Sequence, residues 1–398
     1  MDVSDEFIMR VVYEKKENVM ELDTWHPAHT RWGFLRSLST AVTMFALVSL
    51  FGTGGGFAAA GEKCATSQAC WDPPYPNMPD IAPPVVRTSK YFPVPASERG
   101  PAIDPGKGYR VQSLGVGAYM VTEGVYQMML IVHNDGVLLA DAPPSIGLKI
   151  TQAVAEVAAG KKITHLIYSH AHADHIGFAG ELKKTNPGLK IIAHEETKRL
   201  LARAKDPRRP LPTETFGGIG QKFTLKVGGQ SLHLEYPGPN HQPGNVEIYH
   251  AASKTLTLVD VVFPGWMMWR RLALAQDIPG YFEVVRNLNG KYDFAVLIAG
   301  HLNRAGTRAD VTNQLEFLGD LHAAANEGLA GTKIGETMNP DDLTNPWAVF
   351  DNYIDRVTID CVNKLTPKWK SRLAGYDAYI YDQCMSMEQS LRLDGPSQ

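Results

Sequence analysis

The spacing of apolar residues changes repeatedly along the chain, and each change predicts a different element. From residue 109, short apolar runs are separated by glycines and by an Asn-Asp-Gly turn, which is typical of β-strands joined by hairpins. The segments 145–160, 177–186 and 196–205 instead repeat apolar residues at helical spacing. Continuous apolar runs at 162–169 and 189–195 lie between these helices, and they predict buried strands.

The second half of the chain repeats this order. A strand-rich block covers 221–260, and the apolar run 293–301 predicts a further strand. Thr307 and Asp310 then form a capping-box-like start for a helix with apolar residues at helical spacing. A second amphipathic helix over 347–365 and a third helical segment near the C-terminus follow. The pattern predicts an α/β fold of two strand-rich blocks, each ending in helices, with a helical C-terminal extension.

The first 60 residues have the order of an export signal. Arg31 and Arg36 precede an apolar stretch over 41–51, and small residues follow up to Ala60. The run is nearly long enough to span a bilayer, so a membrane anchor is the alternative. Glycines interrupt its apolar continuity and favour cleavage near Ala60. We therefore predict an exported protein, periplasmic or secreted, that meets a membrane only through an uncleaved leader.

Prolines dominate the next segment, residues 61–108. At this density they fit neither sheets nor helices, so we predict an extended arm on the surface. The predicted organisation is thus a leader over 1–60, this arm, a strand-and-helix unit over 109–322, and a helical extension over 323–398.

Charge and cysteine content narrow the function. With 39 Lys and Arg against 42 Asp and Glu, and no long basic run, the chain is not expected to bind nucleic acid. The four cysteines form two locally close pairs, Cys64 with Cys70 and Cys361 with Cys384. Two disulfides in an oxidising compartment is the favoured interpretation, and four buried or free thiols is the alternative.

The segment YSHAHADHIGFAG, residues 168–180, gathers three of the 13 histidines within six positions. Alternate residues of an extended loop point the same way, so His170 and His172 can converge on one ion. Asp174 and His175 can reach a second ion at the start of the next helix. Three further candidates lie at a Pro/Gly turn and at two strand ends, and they are His241, Asp260 and His301.

This ordered set resembles the metallo-β-lactamase superfamily, over roughly residues 109–321. The resemblance implies a four-layer αββα sandwich of two mixed sheets with helices on both outer faces. It implies two Zn²⁺ ions, with Asp260 as the bridging ligand. The first ion would be held by His170, His172 and His241, and the second by Asp174, His175 and His301. It also implies that Asp141 supports a metal-binding histidine, and a turn-forming role at a strand end is the alternative.

All seven ligands are typical of the glyoxalase II and lactonase branches of that superfamily. The resemblance implies a binuclear zinc hydrolase whose metal-bridging hydroxide cleaves an ester, lactone or amide of a small molecule. Asp174 would orient the nucleophile and transfer a proton to the leaving group. A β-lactamase similar to class B3 and a non-catalytic periplasmic metal-binding protein are the alternatives.

An apolar stretch directly after Asp260 is the candidate wall of the substrate pocket. It contains Trp266, Met267, Met268 and Trp269. Apolar walls with few polar groups are typical of small-molecule sites. Packing against the C-terminal helices is the alternative role for these four side chains.

Overall fold

Two mixed β-sheets form the centre of the fold, in a computed structural model that describes residues 91–395. The first sheet has seven strands in chain order, which are β1 (Arg110–Gly115), β2 (Ala118–Thr122), β3 (Gln127–His133), β4 (Gly136–Ala140), β5 (Ile163–Ile167), β6 (Lys190–His194) and β7 (Glu214–Phe216). The pairs from β1 to β4 are antiparallel, and the pairs from β4 to β7 are parallel.

The second sheet has the strand order β12-β11-β10-β9-β8. Its strands are β8 (Lys222–Val227), β9 (Gln230–Glu235), β10 (Glu247–His250), β11 (Thr255–Thr257) and β12 (Val296–Ile298). Only β11 and β12 pair in parallel within this sheet. Each sheet therefore has a parallel part, and the carboxyl ends of parallel strands meet at one edge.

Helices complete the described part of the chain. They are α1 (Lys149–Val157), α2 (Ala173–Ile176), α3 (Ala179–Thr185), α4 (Glu195–Ala204), α5 (Ile278–Lys291), α6 (Arg308–Gly331), α7 (Ile334–Thr337), α8 (Pro346–Trp369) and α9 (Tyr376–Leu393). Short 3₁₀ turns occur at Ala96–Glu98, Ala251–Ser253 and Pro340–Asp342.

Three buried clusters define four layers. Met129 and Ile248 belong to the cluster between the two sheets. Ile150 of α1 lies in a second cluster, on the outer face of the first sheet. Leu256 of β11 and Phe317 of α6 lie in the third, on the outer face of the second sheet. The order is helix, sheet, sheet, helix, so the predicted αββα fold is confirmed, as is the helical C-terminal extension.

Burial explains the contrast between strand sequences. Strand β4, with the sequence GVLLA, is buried at every position because helices cover one face and the second sheet covers the other. Strand β8, with the sequence KFTLKV, alternates exposed and buried residues over its second half. The predicted helix start at Thr307 and Asp310 has both bonds of a capping box.

Helix α5 was not among the predicted elements. Its sequence, IPGYFEVVRNLNGK, contains two glycines and a proline, which lower helix propensity. Asp277 caps it by accepting a hydrogen bond from the backbone of Gly280 at 2.7 Å. Tyr281 and Leu288 are fully buried, so tertiary packing outweighs the weak local preference.

The remaining expectations have mixed outcomes. Cys361 of α8 and Cys384 of α9 form a disulfide, as predicted. The leader, the Cys64 and Cys70 pair and the first part of the arm lie outside the described residues. Within residues 91–395, no helix has the length and apolarity that crossing a membrane requires. The domain boundaries stay a prediction.

Candidate metal centre

Strand ends supply most of the candidate site residues. Asp141 follows β4, the 170–175 segment follows β5, Asp260 follows β11 and His301 follows β12. These strands are the parallel parts of the two sheets, so their carboxyl ends meet at one edge of the sandwich. His241 arrives from the loop between β9 and β10.

The first donor group contains three histidines and Asp260. Nδ1 of His172 faces Nε2 of His241 at 3.0 Å. Oδ2 of Asp260 lies 3.2 Å from Nε2 of His241 and 3.5 Å from Nε2 of His170. Donors about 2.0–2.1 Å from a tetrahedral ion stand roughly 3.3 Å apart, so these separations fit a metal site.

The second donor group contains Asp174, His175 and His301, whose donor atoms lie within 4.8 Å of one another. Oδ2 of Asp174 is 3.5 Å from Nε2 of His175. Asp260 also reaches this group, with Oδ2 at 3.1 Å from His175 and Oδ1 at 2.9 Å from His301. The structure therefore brings all seven predicted ligands together, with Asp260 between the two groups.

Unpaired buried atoms support metal binding at this place. Nε2 of His170 and Nε2 of His175 are buried, and neither has a hydrogen-bond partner within the described residues. Both lie 3.1–3.5 Å from Asp260 without the alignment that a hydrogen bond requires. A buried polar atom without a partner costs roughly 1–3 kcal/mol, and a metal ion would satisfy these lone pairs.

Neighbouring groups orient two of the ligands. Nδ1 of His241 lies 2.6 Å from the backbone carbonyl of Ala273, which can only accept, so Nδ1 carries the proton and Nε2 keeps its lone pair. Ser169 Oγ lies 2.9 Å from Nδ1 of His170. Asp141 accepts the Ser169 backbone N–H at 2.8 Å, which fixes the residue directly before His170.

The pKa shifts of the histidines differ between the two donor groups. Burial and the neighbouring histidines hold the pKa of His170 well below its usual value, and burial with His241 lowers the pKa of His172 to about 4. Burial opposes a charge on His175, but the Asp260 and Asp174 carboxylates raise its pKa to about 9. His170 and His172 are thus neutral and ready to coordinate, whereas His175 must lose a proton to bind a metal.

Two residues that carried no signal in the sequence hold His301 in place. Gln127 of β3 receives the Ala299 N–H on its side-chain oxygen at 3.2 Å, and it donates to the carbonyls of Leu302 and Arg304. Gly300 has φ +86°, and a Cβ there would lie 2.5 Å from Val259 Cγ1. Glycine is needed at this position by both conformation and space.

A sequence profile of the metallo-beta-lactamase superfamily matches residues 121–301, a range that contains all seven ligands. This part of the chain is therefore similar to the metallo-β-lactamase superfamily. Homologues with this fold are metal-dependent hydrolases.

Curated relatives cover this part of the chain. One is the 2,4-dinitroanisole O-demethylase subunit alpha of Nocardioides sp. (strain JS1661), 29% identical over 223 residues, which are 51% of this chain and 64% of that protein. Another is the uncharacterized protein YobT of Bacillus subtilis (strain 168), 31% identical over 136 residues, or 32% of this chain and 58% of that protein. The chain thus spans about three fifths of the length of these relatives.

Solved structures with a similar fold include two metallo-β-lactamases. The enzyme from Pontibacter korlensis has a TM-score of 0.44 and 19% identity, covering 53% of this chain and 98% of its own. The enzyme from Hirschia baltica has a TM-score of 0.43 and 21% identity, covering 52% of this chain and 96% of its own.

A cavity of about 610 Å³ opens onto the two donor groups. The ligands on its floor are His172, Asp174, His241, Asp260 and His301. Its other lining residues are apolar or aromatic, and they are Val125, Tyr126, Ala173, Phe263, Trp266, Met267, Trp269, Ala273, Leu274, Leu302 and Tyr379. No lysine or arginine is among the described residues of this lining.

The predicted pocket residues divide between the cavity and the core. Trp266, Met267 and Trp269 line the cavity. Met268 does not, because its side chain is 1% exposed and packs in the cluster beneath the C-terminal helices. For Met268 the assignment to the wall is therefore wrong, and the packing alternative describes it.

Tyr126 is a cavity residue that the sequence did not single out. Its ring packs 4.5 Å from the ring of His301, and its hydroxyl donates to Oδ2 of Asp174 at 3.3 Å. Burial raises its pKa, and the Asp174 carboxylate raises it further, so the hydroxyl stays protonated. It supplies a hydrogen-bond donor beside Asp174 in a largely apolar wall.

An unusual backbone segment forms another part of the cavity wall. The residues from Arg271 to Leu274 have φ values of 53° to 57°, in the left-handed helical region. None is glycine, and each such L-residue costs roughly 1–2 kcal/mol. This left-handed turn carries Ala273, whose carbonyl orients His241.

Proposed function

We propose that the chain is an exported binuclear zinc hydrolase that cleaves an ester, lactone or amide bond of a small, uncharged, largely apolar molecule. The observation that carries the proposal is the meeting of two donor groups at Asp260, on the floor of an aromatic-lined cavity. Nitrogen and carboxylate donors with open positions suit Zn²⁺ as a catalytic ion.

One ion would be held by His170, His172 and His241. The other ion would be held by Asp174, His175 and His301. Asp260 would be a ligand of both ions. When bound, the ions supply a hydroxide at neutral pH and polarise the scissile bond. Burial holds His170, His175 and Asp260 in one arrangement, since each is at most 5% exposed. This rigidity limits the motion of the groups around the reacting atoms.

Asp174 has the position of a proton-transfer group. Its side chain is 45% exposed, so it faces the cavity more openly than the other second-group ligands. The carboxylate can accept a proton from the nucleophile and return it to the leaving atom. Tyr126 donates to the same carboxylate and keeps it oriented.

The cavity lining favours some substrates over others. A carbapenem carries a carboxylate, and the described lining residues include no lysine or arginine side chain that could pair with it. Arg270, at the edge of the apolar stretch, instead contacts Asp382 at 3.4 Å and packs over the Tyr379 ring. These contacts argue against the β-lactamase alternative and for a neutral aryl or alkyl substrate.

A second candidate function is hydrolysis of an activated aryl ether. A relative of this chain is named for the O-demethylation of 2,4-dinitroanisole. The five aromatic side chains of the cavity lining suit a flat, electron-poor ring, and they are Tyr126, Phe263, Trp266, Trp269 and Tyr379. Hydrolysis would add water across the ether bond and release a phenol and an alcohol.

Export is part of the proposal, and the disulfide supports it. The Cys361–Cys384 bond is of a kind that persists in oxidising compartments. Mass spectrometry of protein recovered from the producing cell should find a mature N-terminus near Gly61 and no free thiols. An intact leader would instead favour the anchor.

A substrate panel on protein of known metal content tests the activity. It comprises a neutral aryl ester, an acyl-homoserine lactone, a carbapenem and 2,4-dinitroanisole. We expect turnover of the ester or the lactone that is lost on chelation and restored by zinc. Turnover of the carbapenem alone would support the β-lactamase, and turnover of the ether alone would support the second candidate. No metal-dependent turnover of any member would favour the non-catalytic alternative.

A further inference from the structure

The left-handed turn at Arg271–Leu274 has a backbone conformation that its sequence does not favour. Its residues, RLAL, are good formers of right-handed helices, and L-residues normally enter the left-handed region singly. Four consecutive residues nevertheless adopt it. Local preference does not explain this conformation, so contacts from elsewhere in the fold must hold it.

One side chain of α9 makes three hydrogen bonds at this segment. Gln383 is fully buried, and its oxygen accepts the backbone N–H of Leu272 at 2.6 Å. Its amide nitrogen donates to the carbonyls of Met268 and Trp269 at 2.8 and 3.0 Å. The amide oxygen therefore bonds to the turn, and the amide nitrogen bonds to the residues two and three positions before it.

The left-handed turn orients the candidate metal ligand His241. The Ala273 carbonyl accepts from Nδ1 of His241 at 2.6 Å, which leaves Nε2 directed at the first donor group. Leu272 is also fully buried, so the turn cannot rotate without disturbing the core. A continuous series of contacts thus leads from Gln383, through the turn, to His241.

The helix that carries Gln383 is itself covalently anchored. Cys384 is the next residue in the chain, and its disulfide joins α9 to Cys361 of α8. The position of the Gln383 side chain is therefore fixed by the C-terminal extension rather than by the sandwich.

We propose that Gln383 is a positioning residue for the metal site, and that the C-terminal extension completes this site by holding the left-handed turn against His241. The proposal rests on the proposed function for its metal but not for its geometry. Groups that orient a metal-binding histidine typically change metal affinity by 10- to 100-fold when they are removed.

The test compares Gln383→Met with Met387→Ala. The first keeps most of the side-chain volume and loses the three hydrogen bonds. The second removes a fully buried side chain one turn further along α9, with no bond to the left-handed turn. Zinc affinity is measured by competition with a chromophoric chelator, and stability by urea unfolding. We expect a 10- to 100-fold weaker site in Gln383→Met and wild-type affinity in Met387→Ala.

Two outcomes would overturn the proposal. One is wild-type zinc affinity in Gln383→Met. The other is an equal loss of affinity in Met387→Ala, since both effects would then reflect packing alone. A rescue variant sharpens the test, because glycine enters the left-handed region without steric cost. Adding Ala273→Gly to Gln383→Met should restore part of the affinity if Gln383 acts by holding the turn.

A second readout is independent of metal binding. Nitrogen-15 spectra of the histidine side chains in metal-free protein should show His241 as a single tautomer protonated at Nδ1. In Gln383→Met the same signal should shift toward a mixture of tautomers. If the wild-type protein binds no zinc, the proposed function fails, and this spectrum still decides the role of Gln383. An unchanged spectrum in the variant would overturn that role.

Discussion

Oδ2 of Asp260 lies 3.1 Å from Nε2 of His175, although the two residues follow strands of different sheets. The same oxygen is 3.2 Å from Nε2 of His241, in the other donor group. One carboxylate thus contacts both groups. Its removal should affect two ions rather than one.

Metal content is the first prediction. Elemental analysis of the purified protein should find close to two metal ions per chain, mostly zinc. Asp260→Ala should lower this to one or fewer, because both groups lose the shared oxygen ligand. A value near one in metal-replete wild-type protein would contradict a binuclear site.

The role of Asp174 can be separated from metal binding. Asp174→Asn keeps the shape and one coordinating oxygen but loses the basicity, so kcat should fall by roughly 10²–10⁴ with a smaller change in KM. Steady-state kinetics across a zinc titration provide the measurement. His241→Ala is the control, since added zinc should partly restore its activity. Full rescue of Asp174→Asn by zinc would reduce Asp174 to a ligand.

The aromatic wall should control substrate binding more than chemistry. Trp269→Ala should raise KM for an aryl ester by about 2- to 12-fold with little change in kcat, because an aromatic contact contributes roughly 0.5–1.5 kcal/mol. Trp347→Ala is the matched control, as Trp347 is 83% exposed on α8 and outside the cavity lining. Equal KM values in all three proteins would remove Trp269 from the substrate site.

Asp310 should give a pH-dependent contribution to stability. Burial alone would raise its pKa, but the Arg304 guanidinium and Thr307 hold the pKa below its usual range. A carboxyl with a lowered folded-state pKa stabilises the fold above its unfolded pKa of about 4, and the contribution is lost as the pH falls through the folded-state value. Asp310→Asn should therefore cost about 1–3 kcal/mol at pH 7 and progressively less below pH 4.

Urea unfolding between pH 7 and pH 3 measures this difference. Asp293→Asn is the control, because the Asp293 pair with Lys254 is largely exposed and should contribute little at any pH. A loss at Asp310 that does not change with pH would show that its charge is not the stabilising feature.

Reduction of the disulfide should weaken the extension. The bond closes a loop with a sequence separation of 23 residues, for which chain entropy gives roughly 3 kcal/mol. Reduced protein and the Cys361→Ala/Cys384→Ala variant should both unfold at lower urea concentration than the oxidised protein. Identical midpoints would mean that helix packing alone holds α8 to α9.

The sequence was sufficient to predict the ligand set because each ligand but one ends a strand or begins a helix. Asp260 and His301, for example, each follow a largely apolar run of the sequence. His241 was found for a different reason, because a Pro/Gly turn surrounds it. These are local signals, and they remain visible without the partner residues.

Contacts between distant segments were not predictable in this way. Gln127 and Gln383 are single buried glutamines whose partners lie more than 100 residues away. The left-handed turn was still harder to predict, because its leucines and alanine favour a right-handed helix. Tertiary contacts stabilise these conformations, and the spacing of apolar residues along the sequence does not indicate such contacts.

The pairing between Tyr126 and His301 has a mechanical consequence. These residues form an isolated antiparallel bridge, Leu302 donates to the Val125 carbonyl at 2.6 Å, and Gln127 donates to the Gly300 carbonyl at 2.8 Å. The backbone of a ligand that follows one sheet is therefore bonded to the other. Local opening of the sandwich at this edge must break the ligand geometry as well. The site and the seam between the sheets should exchange their amide hydrogens as one cooperative unit.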